Sequence, residues 1–169
     1  MTAPRDDYNI LKFSVRPTRP CDMTLCDAPL LQPMLALTCR GNLMDVRTTM
    51  TCIEQFMRAH EASPEVTSDL NLVLTEAMTN IARYAFPHEE GVIQCHLLLT
   101  DAFVKCCLHD QGIEFDPSEI PYNPPDPANI PEGGFGIFLM RSLTQNLTHR
   151  YENGINTLRF AMPKQACTL

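Results

Sequence analysis

Glu76 and Asn80, Asp110 and Gly112, and the run Gly133-Gly134-Phe135-Gly136 are the residues whose types and spacing can do chemistry. A carboxylate can act as a general base, and an amide oxygen can coordinate magnesium. Glu76 and Asn80 are four apart, so a helix projects both from one face. An Asp at a strand end, with a Gly two residues on, offers an acceptor beside closely approaching backbone. That pair can hydrogen-bond a flat heterocycle such as adenine. Glycines opening a helix leave unpaired N–H groups that phosphate oxygens can reach. In this order the three pieces read as a site for a nucleotide and a divalent metal. Each also has a plainer reading: a solvated helix face, an ordinary turn, a flexible hinge. The glycine run is not a Walker A loop, because no Lys-Ser/Thr follows it. It is not a Rossmann fingerprint either, because G-x-G-x-x-G is absent.

Such residues need elements to hold them. Apolar residues at Val66, Leu70, Val73, Leu74, Ala77, Ile81 and Ala85 keep three-to-four spacing, which predicts a helix over 64–86. Ser63 suits its N-cap and Pro64 its first turn, and Pro87 marks its end. Two short apolar runs, 92–99 and 103–109, read as strands around a turn at 100–102, and the second leads into Asp110. Met34–Cys39 reads as a first core strand and Leu43–His60 as a first helix. After the glycines, Ile137, Leu139, Met140, Leu143 and Leu147 predict a helix over 135–146. Strands at 147–151 and 155–162 follow, with Asn153-Gly154 as their hairpin turn. The loop 113–132 contains six prolines and is long enough to read as a lid. Residues 1–33 contain five prolines and read as an extension, in which Tyr8–Val15 suits a strand. The expected fold class is α/β, over residues 34–169. It is a two-layer sandwich of a mixed, mainly antiparallel sheet with its helices on one face.

The set resembles the ATPase fold shared by DNA gyrase, sensor histidine kinases and mismatch-repair ATPases, the Bergerat fold. Within that superfamily the chain looks most like the bacterial anti-sigma factor serine/threonine kinases. Three stretches carry the resemblance: TEAMTNIARYAF (75–86), HDQGIEFDP (109–117) and EGGFGIFLMRSLT (132–144). The closing YENGINTLRF (151–160) matches in pattern, so roughly 34–162 is covered. The resemblance implies ATP and Mg2+ as cofactors. Glu76 would be the base for the attacking hydroxyl, and Asn80 would coordinate the magnesium. Asp110 would read the adenine amino group, and Gly112 would let the base pack on backbone. Gly133, Gly134, Phe135 and Gly136 would line the phosphates. The implied partners are a sigma factor and a small antagonist protein that is phosphorylated on Ser/Thr. Three positions depart from the wider pattern: Glu114 where a glycine is frequent, Tyr84 where several relatives carry His, and Glu132 where some carry Arg. A nucleotide-gated switch that sequesters a partner without phosphorylating it stays open, as does a homodimer. A catalytic fragment of a histidine kinase is the third reading, against which stands the missing dimerisation helix.

Composition bounds the remaining classes. The 44% apolar and 20% charged content is that of an ordinary globular chain. The net charge of −7 argues against direct nucleic-acid binding and suits a basic protein partner. No run approaches the roughly 18 apolar residues of a membrane span, and no signal peptide is evident, so a cytoplasmic location is expected. The eight cysteines show no C-x-x-C and no zinc-site spacing. They read as reduced, structural thiols.

Overall fold

The computed structural model describes residues 32–88, 90–115 and 135–164. Within them β1 (Met34–Arg40) is followed by α1 (Leu43–Ala59) and α2 (Pro64–Asn80), the latter extended by one π-helical turn (Ile81–Ala85). Then come β2 (Val92–Leu99), β3 (Phe103–Asp110), α3 (Phe135–Leu143), β4 (Gln145–Glu152) and β5 (Ile155–Pro163). The strand order is β1-β2-β3-β5-β4. The expected segment Tyr8–Val15 and the loop 116–132 lie outside the described residues.

Local chemistry sets the helix starts. The Asn42 side chain accepts from the Asp45 N–H at 2.9 Å, and Ser63 Oγ accepts from the Val66 N–H at 3.2 Å. Each satisfies a backbone donor that the first helical turn leaves orphaned. Buried Val46, Thr49, Ile53 and Met57 put one face of α1 in the core. Val66, Leu70, Val73, Leu74, Ala77 and Met78 do the same for α2. Strand alternation supplies the opposing layer. Ile93, Cys95, Leu97 and Leu99 of β2 and Val104, Cys106 and Leu108 of β3 point inward to the same cluster. Asp110 continues that inward alternation, so a carboxylate ends the buried row.

The sheet, expected to be mainly antiparallel, is antiparallel at every pairing among the described residues. The reason lies in the connection after β1. Two helices joined by a short turn carry the chain down and back, so β2 starts at the end where β1 stops. It must therefore run antiparallel to β1. The same path brings the C-terminal end of α2, the end of β3, the start of α3 and the start of β5 to one edge of the molecule.

Three boundaries differ from expectation. The α-helical part of 64–86 stops at Asn80, and the wider π turn replaces its last residues. There the Ala85 carbonyl accepts from the Ile113 N–H at 2.9 Å, a tertiary bond that periodicity alone does not encode. The helix expected to reach residue 146 ends at Leu143. Thr144 Oγ1 bonds the Met140 carbonyl at 2.6 Å, and Asn146 takes a left-handed φ of 55° that no helix continues. β4 accordingly begins at Gln145 rather than 147, with an irregularity in register between Gln145 and Thr148. The expected hairpin turn is present: Asn153 and Gly154 have φ of 54° and 77°, the signs a type I′ turn requires.

No helix among the described residues is long and apolar enough to cross a membrane. Cys39, Cys52, Cys95 and Cys106 are free thiols. Burial pushes the Cys39 and Cys106 thiols above the ordinary cysteine value.

Candidate functional site

The convergent edge is built first from α2. Glu76 and Asn80 are one turn apart and half-buried, and Asn80 Nδ2 donates to Glu76 Oε1 at 3.2 Å. That bond commits the amide nitrogen and turns the Asn80 carbonyl oxygen to other partners. An oxygen ligand of this kind suits a hard cation such as magnesium.

Gly136, in the first turn of α3, lies directly on this pair. A Cβ there would fall 2.5 Å from Glu76 Cδ, closer than real Cβ contacts come. Only glycine lets α3 begin this near the carboxylate. Gly133 and Gly134 lie outside the described residues. Phe135 is described as the first residue of α3. The first turn of α3 is thus placed at Glu76, and a helix dipole favours negative charge at its N-terminal end.

The second arm comes from the end of β3. Asp110 is 6% exposed, and its Oδ1 accepts from the Gly112 N–H at 2.9 Å. Gly112 packs on the π turn: a Cβ there would fall 2.5 Å from the Ala85 carbonyl oxygen. Together with the Ile113–Ala85 bond, this close approach ties the Asp-x-Gly turn to the end of the helix that carries Asn80. The sequence-level candidates Glu76, Asn80 and Gly136 are therefore in contact, and Asp110 and Gly112 are joined to them through Ala85.

One residue escaped the sequence reading. Asn156 of β5 is 4% exposed and donates to Asp110 Oδ1 at 2.9 Å. A signal existed: Leu158, Phe160 and Met162 alternate toward the core, and the same alternation carries Asn156 inward as the odd polar member.

These features bear on whether a magnesium nucleotide fits. The nearly buried Asp110 carboxylate accepts two hydrogen bonds on Oδ1 among the described residues, and Oδ2 takes neither of them. An amide oxygen and a carboxylate, one helical turn apart on α2, sit at the same edge. The first turn of α3 comes against the Glu76 carboxylate at Gly136, where no side chain intervenes between the two helices. The donor and acceptor set is that of a base-reading acid, a cation ligand and a phosphate cradle.

Comparison with known proteins bears on the family and the fold. A family model described as the histidine kinase-like ATPase domain matches residues 39–162. The serine-protein kinase RsbW of Oceanobacillus iheyensis is 30% identical over 100 residues, 55% of this chain and 63% of that protein. The serine-protein kinase RsbW of Staphylococcus epidermidis is 33% identical over 120 residues, 65% of this chain and 72% of that protein. The fold is also that of a crystal structure of the RsbU and RsbW domains of Rv1364c from Mycobacterium tuberculosis. Its TM-score is 0.54 at 14% identity, over 77% of this chain and 32% of that one. The chain spans 63% and 72% of the length of the two curated relatives.

Proposed function

Because this chain belongs to the histidine kinase-like ATPase family, among the serine-protein kinases of the RsbW type, we propose that it is an ATP-dependent anti-sigma factor kinase. It binds a sigma factor and phosphorylates a Ser or Thr of a small antagonist protein in the cytoplasm. Residues 34–169 form the ATPase domain and 1–33 an extension to it.

The observation that carries this reading is the contact of Glu76, Asn80 and Gly136 at the edge where Asp110 ends β3. In this reading Asp110 accepts from the amino group of the base. Asn80 would hold magnesium through its side-chain oxygen, and the first turn of α3 at Phe135 and Gly136 would face the phosphates, with Gly133 and Gly134 just before it in the sequence. Magnesium, when bound, neutralises charge on the transferring phosphoryl group. Glu76 takes the proton of the attacking hydroxyl and orients it. Gly136 holds that carboxylate against the phosphate end, so base and phosphate cradle move as one unit.

A nucleotide-gated switch is the second reading, and Glu132 favours it by placing negative charge just before the phosphate-facing glycines. One experiment separates the two. Radiolabelled ATP is supplied with magnesium and a candidate antagonist encoded beside this protein. Label on a Ser or Thr of the antagonist supports the kinase. Saturable ATP binding without transfer to any such candidate favours the switch, and no binding at millimolar nucleotide sinks both.

A further inference from the structure

Asn156 makes more hydrogen bonds than a filler residue needs. It lies directly opposite Asp110 in the β3–β5 register. Its Nδ2 donates to Asp110 Oδ1 at 2.9 Å and to the Ile113 carbonyl at 2.9 Å, with the Gly112 carbonyl at 3.5 Å. Its Oδ1 receives the Phe115 N–H at 3.4 Å and lies 3.2 Å from His149 Nε2 on β4.

This pattern fixes the amide orientation. Turned over, the carboxamide would aim its oxygen at a carboxylate and two carbonyls, and its NH2 group at a backbone donor. Every one of those pairs would be mismatched. With Oδ1 facing His149, the ring must donate from Nε2, which sets its tautomer. The Phe115 ring stacks edge-on against His149 at 5.6 Å and closes the far side. Asn156 is thereby held from both ends before it meets Asp110.

The consequence falls on Asp110. Asn156 and Gly112 both bond Oδ1, so the carboxylate cannot rotate without breaking two bonds. Oδ2 takes neither of these bonds, so among the described residues it is the oxygen left to face a base. We infer that Asn156 is a positioning and specificity-determining residue. It aims Asp110 Oδ2 at an amino-bearing base edge, and it makes the site reject a base carrying an oxo group there. This inference rests on Asp110 being the base-reading acid. An acceptor fixed in place cannot swing away from an incoming oxo group. The mismatched base therefore leaves two acceptors facing each other with no donor between.

The test uses magnesium–ATP and magnesium–ITP, whose base has an oxo group where adenine has an amine. Both are titrated calorimetrically into the full chain, Asn156→Ala and Asn156→Ser. Wild type is expected to prefer ATP by about tenfold or more. Asn156→Ala should lose about tenfold in ATP affinity but much less for ITP, so the preference collapses. Asn156→Ser keeps one donor for Asp110 and should recover part of the preference. It also decides the matter should the alanine variant unfold. Equal losses for both nucleotides, or an intact preference in both variants, would overturn the inference and leave nucleotide binding standing. Failure of wild type to bind either nucleotide would instead remove the assignment of Asp110, and this inference with it.

Discussion

Gly136 rests its bare Cα against the Glu76 side chain, so near that a Cβ would lie 2.5 Å from the carboxylate carbon. This contact joins α2 to α3 at the point where the proposed proton acceptor and the proposed phosphate cradle meet. It gives one glycine two duties, packing and chemistry, that substitution can separate.

Gly136→Ala should force α3 away from Glu76. Overpacking of this kind costs about 1–3 kcal/mol, read as a lower urea midpoint with unchanged slope. Transfer should fall further than the unfolded fraction explains, because the carboxylate is displaced. A variant with wild-type activity and stability would show that the two helices separate freely.

Glu76→Gln keeps the shape and removes the proposed base. Phosphoryl transfer to the antagonist should drop by about 10²–10⁴, while magnesium–ATP affinity changes little. The amide can still pack against Gly136. Undiminished transfer would place the base elsewhere.

Asp110→Asn replaces two acceptor oxygens by one oxygen and an NH2 group. Either that NH2 meets the donors from Gly112 and Asn156, or it faces the base amine. ATP affinity should fall by about tenfold or more, some 1.4 kcal/mol, in a calorimetric titration. Unchanged affinity would end its assignment as the base-reading acid.

His96 and His109 predict a pH dependence of stability. Their rings stand edge-to-face at 5.8 Å on the sheet surface away from the core. Burial lowers both below the ordinary histidine value of 6.5, and for His109 the neighbouring His96 and Arg159 lower it further. The unfolded chain then takes up protons first as pH falls. Stability is present above about pH 6.5 and is lost progressively below it. Urea midpoints at pH 7.5 and 5.5 should differ in that sense, and His96→Gln should shrink the difference. A midpoint that rises on acidification would contradict the assignment.

Leu74→Ala tests the support beneath the site. Leu74 is fully buried on α2, two residues from Glu76. Its truncation should cost about 2–5 kcal/mol in urea unfolding, yet leave transfer by the folded fraction near normal. Loss of transfer without loss of stability would mean that the helix shifts rather than leaving a cavity.

Features that repeat along contiguous residues were legible in the amino-acid order alone. The three-to-four spacing of α2 put Glu76 and Asn80 on one face, and the two side chains are hydrogen-bonded there. Strand alternation made the apolar runs before Asp110 legible, and Asn153-Gly154 announced its turn through the positive φ that few residue pairs tolerate. Only the tertiary structure decided which distant pieces meet. Asn156 reaches Asp110 across 46 residues because β5, not β4, lies beside β3. The π turn exists where Ala85 bonds Ile113, a partner 28 positions on, rather than continuing its helix. Helix and strand periods are written in near neighbours, whose sterics and solvation repeat locally. Strand order and the meeting of helix ends depend on how whole faces bury one another, and no single stretch of the chain contains that information.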